Sequence, residues 1–319
     1  MNRQAKGALL TAGGGICWGL SGSMGQFLFS REGMDARWLT PVRLGGSALI
    51  LLLYCILRYG ISYTLEPWRE KKMAKDLVLY GLFGVSCCQF LYFETIQLSS
   101  AAAGTILQDL SPAMILLVGC AAAKRRPTAR EVAAILVGLA GVFLITTGGN
   151  LKQMAIPAAA LLTGVLCAVC VTIYNVVPAR RLKQYPVVLL QGWAFLMGSA
   201  AMIPVFRPWR YYVPVHPMGI VGILTVIFCG NVLAFTMYMS GIRYIGPDKG
   251  ILYGFAEPMT AAVIGVIAFG NAFTAADAAG FCLVFFMLWL ISKKEKPAEQ
   301  ISHSRMASAS FPQEKKLAG

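Results

Sequence analysis

The chain alternates long apolar runs with short polar breaks, and each run approaches the ~20 residues a helix needs to cross about 30 Å of hydrocarbon. Read as helices, the runs predict ten spans: 7–29, 38–58, 76–98, 101–123, 130–147, 156–178, 186–206, 217–241, 249–270 and 274–292. The first run is too long and too glycine-rich for a cleaved signal, and another span follows soon after. A soluble chain would set polar faces between its apolar stripes, and these runs have none. The expected class is an all-α, multi-pass membrane protein.

Composition sets the same bound. The 319 residues are 57% hydrophobic and 13% charged, with mean hydropathy +0.64, so polar surface is too scarce to coat a soluble globule. A net charge of +14 suggests nucleic acid at first sight, but the basic residues fall between spans. With the N-terminus inside, the 28 Lys and Arg lie on the cytoplasmic side except Arg31, Arg37, Lys152, Arg207 and Arg210 in outer loops and Arg43 within a span. That asymmetry fixes both termini in the cytoplasm and favours an even number of spans. The expected location is the cell membrane.

The chain also repeats itself at an offset of 146. Tyr92, Ile96, Gly104, Pro112, Gly119, Thr128 and Leu144 recur as Tyr238, Ile242, Gly250, Pro258, Gly265, Thr274 and Leu290. Five spans per copy is an odd number, so the second copy lies upside down relative to the first. Inverted repeats build two access states around one central site in many secondary transporters. The expected units are residues 1–150 and 151–292, followed by a polar, disordered cytoplasmic tail at 293–319 whose basic start lies against anionic lipid heads.

Residues 92–145 (YFETIQLSSAAAGTILQDLSPAM…) and 238–291 (YMSGIRYIGPDKGILYGFAEPMT…) each resemble the second half of an EamA domain of the drug/metabolite transporter superfamily. The opening span, with its Trp18-Gly19 pair, resembles that family's first helix, and Arg43 sits where such proteins often carry an arginine. The resemblance covers about residues 7–292. It implies a ten-helix basket with helices 1–4 and 6–9 around a central cavity, helices 5 and 10 outside it, and a homodimer as one use of those outer helices. One departure is Lys124-Arg125 where a glutamate often follows the fourth span, with Asn271 at the repeat-related place.

Four formally charged residues lie well inside the predicted spans: Arg43, Glu94, Asp109 and Glu257. A charge near the membrane centre costs roughly 2.5–3.5 kcal/mol on insertion scales, so each needs a partner, a wet cavity or a proton. Arg43 and Glu94 come out at similar shallow depth on the outer side, which suggests a structural ion pair; Glu94 is also a coupling candidate. Asp109 lies about 12 Å in from one side and Glu257 about as far in from the other. Both precede a proline, Pro112 and Pro258, which removes a helical hydrogen bond and loosens the turn before it. Freed carbonyls beside a carboxyl make a substrate-binding or proton-coupling locus, or a plain helix-to-helix bond.

Around these acids, Trp18, Gln108, Tyr92, Tyr238, Tyr253 and Asn231 are candidates to line the site, with Gln89, Tyr174 and Asn175 behind them. The aromatic members suit a flat or cationic solute, or are packing. Small-residue faces at Gly15, Gly19 and Ser23, and at Gly246, Gly250 and Gly254, predict close helix contact. The nine cysteines all fall within spans and read as small apolar filling, with no disulfide framework. Two histidines, His216 and His303, make a zinc site unexpected, and no P-loop, nucleophile elbow or cofactor turn occurs. The sequence therefore predicts no metal, no cofactor and no enzyme. It predicts a secondary transporter of small organic metabolites, amino acids or related compounds, working outward, with protons as a candidate coupling ion. The alternatives are uptake or facilitated diffusion of another metabolite or drug-like cation, and a non-transporting membrane scaffold or receptor.

Overall fold

The computed structural model describes residues 3–147, 156–176, 184–211, 216–245, 253–254 and 256–292. The tail at 293–319, Gly246 and Gly250 lie outside the described residues. Among the described residues the fold is all helical. In chain order the main helices are α1 (Arg3–Ser30), α2 (Ala36–Tyr59), α3 (Lys71–Leu98), α4 (Ala101–Gln108), α5 (Ser111–Ala122) and α6 (Ala129–Thr147). They continue as α7 (Ala158–Val176), α8 (Val187–Phe206), α9 (Pro217–Ile245), α10 (Ala256–Phe269) and α11 (Ala275–Ser292).

Six rods are long and apolar enough to cross a membrane: α2, α3, the joined α4–α5, α7, α8 and α9 as far as Ile242. The other four expected spans fall on α1, α6, α10 and α11. α1 has 28 residues, but glycine and serine dilute its hydropathy. α6 has 19 residues, as many as α7, and is apolar beyond Arg130 and Glu131 in its first turn. α10 has 14 residues, about 21 Å at 1.5 Å per residue, and α11 has 18.

The two copies pack reciprocally. α1 lies along the last part of α9, Ala234–Ile245, while its counterpart α7 lies along the last part of α3, Cys87–Leu98. α2 meets its own counterpart α8, and α6 meets α11. Local features repeat as well. α6 opens on a capping box in which Glu131 Oε2 accepts from Thr128 N–H at 2.7 Å and Glu131 N–H donates to Thr128 Oγ1 at 3.3 Å. α11 opens identically, with Thr274 N–H donating to Asp277 Oδ2 at 2.8 Å and Asp277 N–H to Thr274 Oγ1 at 3.2 Å. Each box satisfies two of the N–H groups a helix start leaves unpaired.

The third helix of each copy carries a π-helical stretch, Leu79–Ser86 in α3 and Val226–Leu233 in α9. Such stretches are rare and widen the helix locally. In each, one glycine allows the first helix of the other copy to approach. A Cβ on Gly84 would sit 2.5 Å from Tyr174 Cβ on α7, and one on Gly230 would meet Ser21 Cβ on α1 at 2.7 Å. Lipid tails are as apolar as leucine, so close backbone contact of this kind, rather than hydrophobic burial, holds such helices together. The core between them includes Leu28, Tyr92, Phe93, Cys167 and Val226.

Candidate functional site

Asp109 stands where the fourth rod breaks. α4 ends at Gln108, ψ at Asp109 turns to 1°, and α5 restarts at Ser111 with Pro112 in its first turn. The Leu110 N–H bonds the carbonyl of Leu107 at 3.3 Å, a tighter turn than the α-helix makes, and Pro112 offers no N–H to Gln108 O. The break aims the carbonyl end of one half-helix and the N–H end of the next at the same region, as in discontinuous transporter helices.

Glu257 lies in the first turn of α10. α1 presses on that turn: a Cβ on Gly15 would be 3.2 Å from Glu257 N, and one on Gly19 would be 2.6 Å from Glu257 O. The small-residue face of α1 therefore holds the Glu257 turn in place. Tyr92 on α3, itself buried, donates its hydroxyl to Glu257 Oε1 at 3.4 Å. Asp109 and Glu257 both act electrostatically on Tyr92 and Tyr238, which places the two acids in one electrostatic neighbourhood. Asp109 and Glu257 are both half-buried residues. Trp18 extends this wall, its ring centroid 4.9 Å from Tyr238 and 5.9 Å from Phe235. Gln108, half-buried beside Asp109, turns its side-chain oxygen to the thiols of Cys167 and Cys88, at 3.5 and 3.9 Å.

Asp109, Glu257, Gln108, Tyr92, Tyr238 and Trp18 thus come together. Asn231 does not join them: it lies in the α9 π-helical stretch, 3% exposed, and donates to Ser47 Oγ on α2 at 2.9 Å. Tyr253 is exposed, and Asn175 is spent on its own helix, donating to Val171 O.

The expected Arg43–Glu94 ion pair is not among the ion pairs of the described residues and is corrected. Arg43, 2% exposed, donates Nη2 to Gln89 Oε1 and lays its guanidinium 3.7 Å from the centroid of Phe93. Gln89 and Phe93 are four apart and share a face of α3, whereas Glu94 is turned about 100° from Phe93 around the axis. Glu94 instead lies within electrostatic range of Arg37 and Asp35. Similar depth did not imply a shared face. The Gln89–Phe93 spacing was the available signal, with an aromatic ring as the cation's partner.

Two features were not singled out from the sequence. Cys88 and Cys167 lie with their sulfurs 3.6 Å apart, a contact between helices 79 residues apart in sequence that no spacing rule reveals. A separate cavity of about 340 Å³ opens between the ends of α4, α6, α10 and α11, lined in part by Ser99, Ser100, Asn271 and Asp277. None of the carboxyl cluster lines it. At the opposite end of α6, Arg125 chelates Glu131 at 2.7 and 2.8 Å, and Arg130 bonds Leu290 O on α11.

The carboxyl cluster can hold a proton or a positively charged group between two acids and an aromatic wall. Comparison with known proteins agrees with a role in transport. The model of the EamA-like transporter family matches residues 5–147 and again 158–293. The chain is similar to an uncharacterized inner membrane transporter, YicL, of Salmonella typhimurium, with 29% identity over 292 residues, 92% of this chain and 97% of that protein. An uncharacterized transporter of Bacillus subtilis, YyaM, is 24% identical over 70% of this chain and 73% of its own length. Protein PecM of Dickeya dadantii is 22% identical over 77% of this chain and 84% of its own. A solved crystal structure, 18% identical, overlays 95% of this chain and 99% of its own with a TM-score of 0.61, a likeness of fold.

Proposed function

The chain belongs to the EamA-like transporter family, and on that premise we propose a secondary transporter that exports a small amine-bearing organic solute, an amino acid or a related compound. Ten helices in two inverted five-helix halves, with both termini in the cytoplasm, alternate access to the Asp109–Glu257 centre from the two sides of the cell membrane. The observation that carries this reading is the pair of half-buried carboxyls, one at the break between α4 and α5 and one bonded by Tyr92 at 3.4 Å. Carboxyls in a low-dielectric site hold a bound ammonium strongly or take a proton in its place, which gives exchange of solute for proton a physical basis. The Trp18–Tyr238 pair, 4.9 Å between centroids, favours a drug-like organic cation as the second reading within the same class.

The test is counterflow in proteoliposomes containing the purified protein. A panel of labelled amino acids, amines and quaternary cations is offered with and without an imposed pH gradient. Gradient-driven accumulation of an amine-bearing member is expected, with loss in Asp109→Asn and Glu257→Gln protein that is still made and inserted normally. Transport unaffected by either substitution would sink the assignment of the centre, and accumulation indifferent to the gradient would sink the proton.

A further inference from the structure

We propose that Cys88 and Cys167 form a dithiol site for a trivalent organoarsenical, one that clamps the two halves of the protein together. Cys88 lies on α3 of the first copy and Cys167 on α7 of the second, along the seam where α7 packs on the last part of α3. Their sulfurs are 3.6 Å apart, both residues are buried, and Gln108 Oε1 accepts from each.

The separation selects the ligand. With element–sulfur bonds of about 2.3 Å, a linear two-coordinate ion would need sulfurs about 4.6 Å apart, whereas a tetrahedral centre holds them about 3.8 Å apart. A pyramidal trivalent arsenic makes bonds of similar length at a narrower angle, because its lone pair compresses them, and so holds its sulfurs somewhat closer than a tetrahedral centre does. Zinc has the right angle but wants four ligands. Among the described residues no group of three His, Cys, Asp or Glu lies close enough to hold a metal. A monosubstituted arsenic(III) needs only two sulfurs, because its third bond is already made to carbon.

The chemistry also suits an apolar seam. An arsine oxide and two thiols give two arsenic–sulfur bonds, and the oxygen leaves as water with both thiol protons. No oxidation state changes, and no charge is left behind in the core, where an unpaired charge would be expensive. The clamp would fix the seam beside Gln108 and Asp109. Cys17 on α1 and Cys229 on α9 lie within electrostatic range of each other at the seam related to this one by the repeat, so the test must separate the two pairs.

Full-length protein carrying Cys17→Ala and Cys229→Ala is reconstituted in lipid nanodiscs and treated with phenylarsine oxide. Intact-mass spectrometry should show one adduct, reversed by excess 2,3-dimercaptopropanol, and lost when either Cys88→Ala or Cys167→Ala is added. Protein without the seam substitutions, digested after treatment, should show the arsenical joining the peptides that hold Cys88 and Cys167, whatever the single variants do to folding. Failure of the first protein to take up the reagent, an adduct that survives either single change, or an arsenical found on other peptides overturns the proposal.

Discussion

Replacing Gly19 by alanine should damage this protein out of proportion to the one methyl group added. A Cβ there would lie 2.6 Å from Glu257 O, 2.7 Å from Thr260 Cβ and 3.1 Å from Thr260 Cγ2. Two of these contacts belong to the backbone and the stiff β-carbon of α10, so neither can swing aside. Restoring ordinary separations near 3.4–4 Å means moving α1 from α10 by about 1 Å. Overpacking of this kind costs about 1–3 kcal/mol. Two other glycines give the controls. A Cβ on Gly13 meets only the Met237 side chain, Cε at 2.5 Å and Sδ at 4.0 Å, and that flexible thioether end can turn away. Gly119 has nothing within 4 Å, so alanine there should gain up to about 1 kcal/mol from helix propensity. Thermal unfolding of the three variants in nanodiscs, followed by intrinsic fluorescence, should place Gly19→Ala lowest by several degrees, Gly13→Ala near the parent and Gly119→Ala at or above it. A Gly19→Ala protein that melts with the parent, or a Gly13→Ala protein that falls as far, would show that α1 and α10 do not meet as described.

Tyr92→Phe removes a single 3.4 Å hydrogen bond, so it should cost about 0.5–1.5 kcal/mol while altering the pH profile of solute movement, because Glu257 loses its donor; an unchanged profile would argue that the bond is incidental. The double change Arg43→Met with Gln89→Met removes a buried cation and its acceptor together, and membrane abundance should stay at or above the parent level, since apolar replacement of buried charge is often neutral or stabilising. The charge swap Arg43→Glu with Glu94→Arg, in contrast, should leave abundance as low as the single changes do; recovery would restore the ion pair rejected above. Single cysteines at Gln108 and Tyr253, in a background without native cysteines, should change their labelling by a membrane-impermeant thiol reagent in opposite senses once a transported solute saturates the protein, and indifference at both would remove the rocking of two halves.

The class of fold was legible because hydrocarbon leaves so few choices: apolar runs of span length must be helices, and the basic residues collect between them. The break at Asp109 was legible through Pro112, and the crowding of α1 on α10 through the spacing of Gly15 and Gly19. Lateral position was not. Depth along a span follows from counting residues, but rotation about the axis depends on the neighbour each helix meets. That is why Arg43 and Glu94 matched in depth and missed in direction, and why Asn231 turned to Ser47 on α2 rather than to the carboxyls. Glycine and serine also thin the hydropathy of α1, the first expected span, without changing its helical length.

The repeat explains the scaffold of the centre but not its chemistry. The reciprocal packing, the paired capping boxes and the paired π-helical stretches fall at corresponding places in both copies. At the same offset of 146, however, Asp109 corresponds to Phe255 and Glu257 to Ser111. Each copy therefore supplies one acid where its counterpart supplies none, at positions two residues apart in the repeat frame. A symmetric pair would place like groups at mirror depths and gain two identical half-sites. The offset instead leaves one acid at the end of a half-helix with Gln108 beside it, and the other in a helix's first turn, hydrogen-bonded by Tyr92. Glu257 faces the N–H end of α10 alone, whereas Asp109 stands between the carbonyl end of α4 and the N–H end of α5. In the transporter proposed above, two unequal carboxyls in one electrostatic neighbourhood would hold a proton and a positive group at different places. Under that proposal the symmetric frame would open to either side, and the asymmetric chemistry at its centre would tell the two bound states apart.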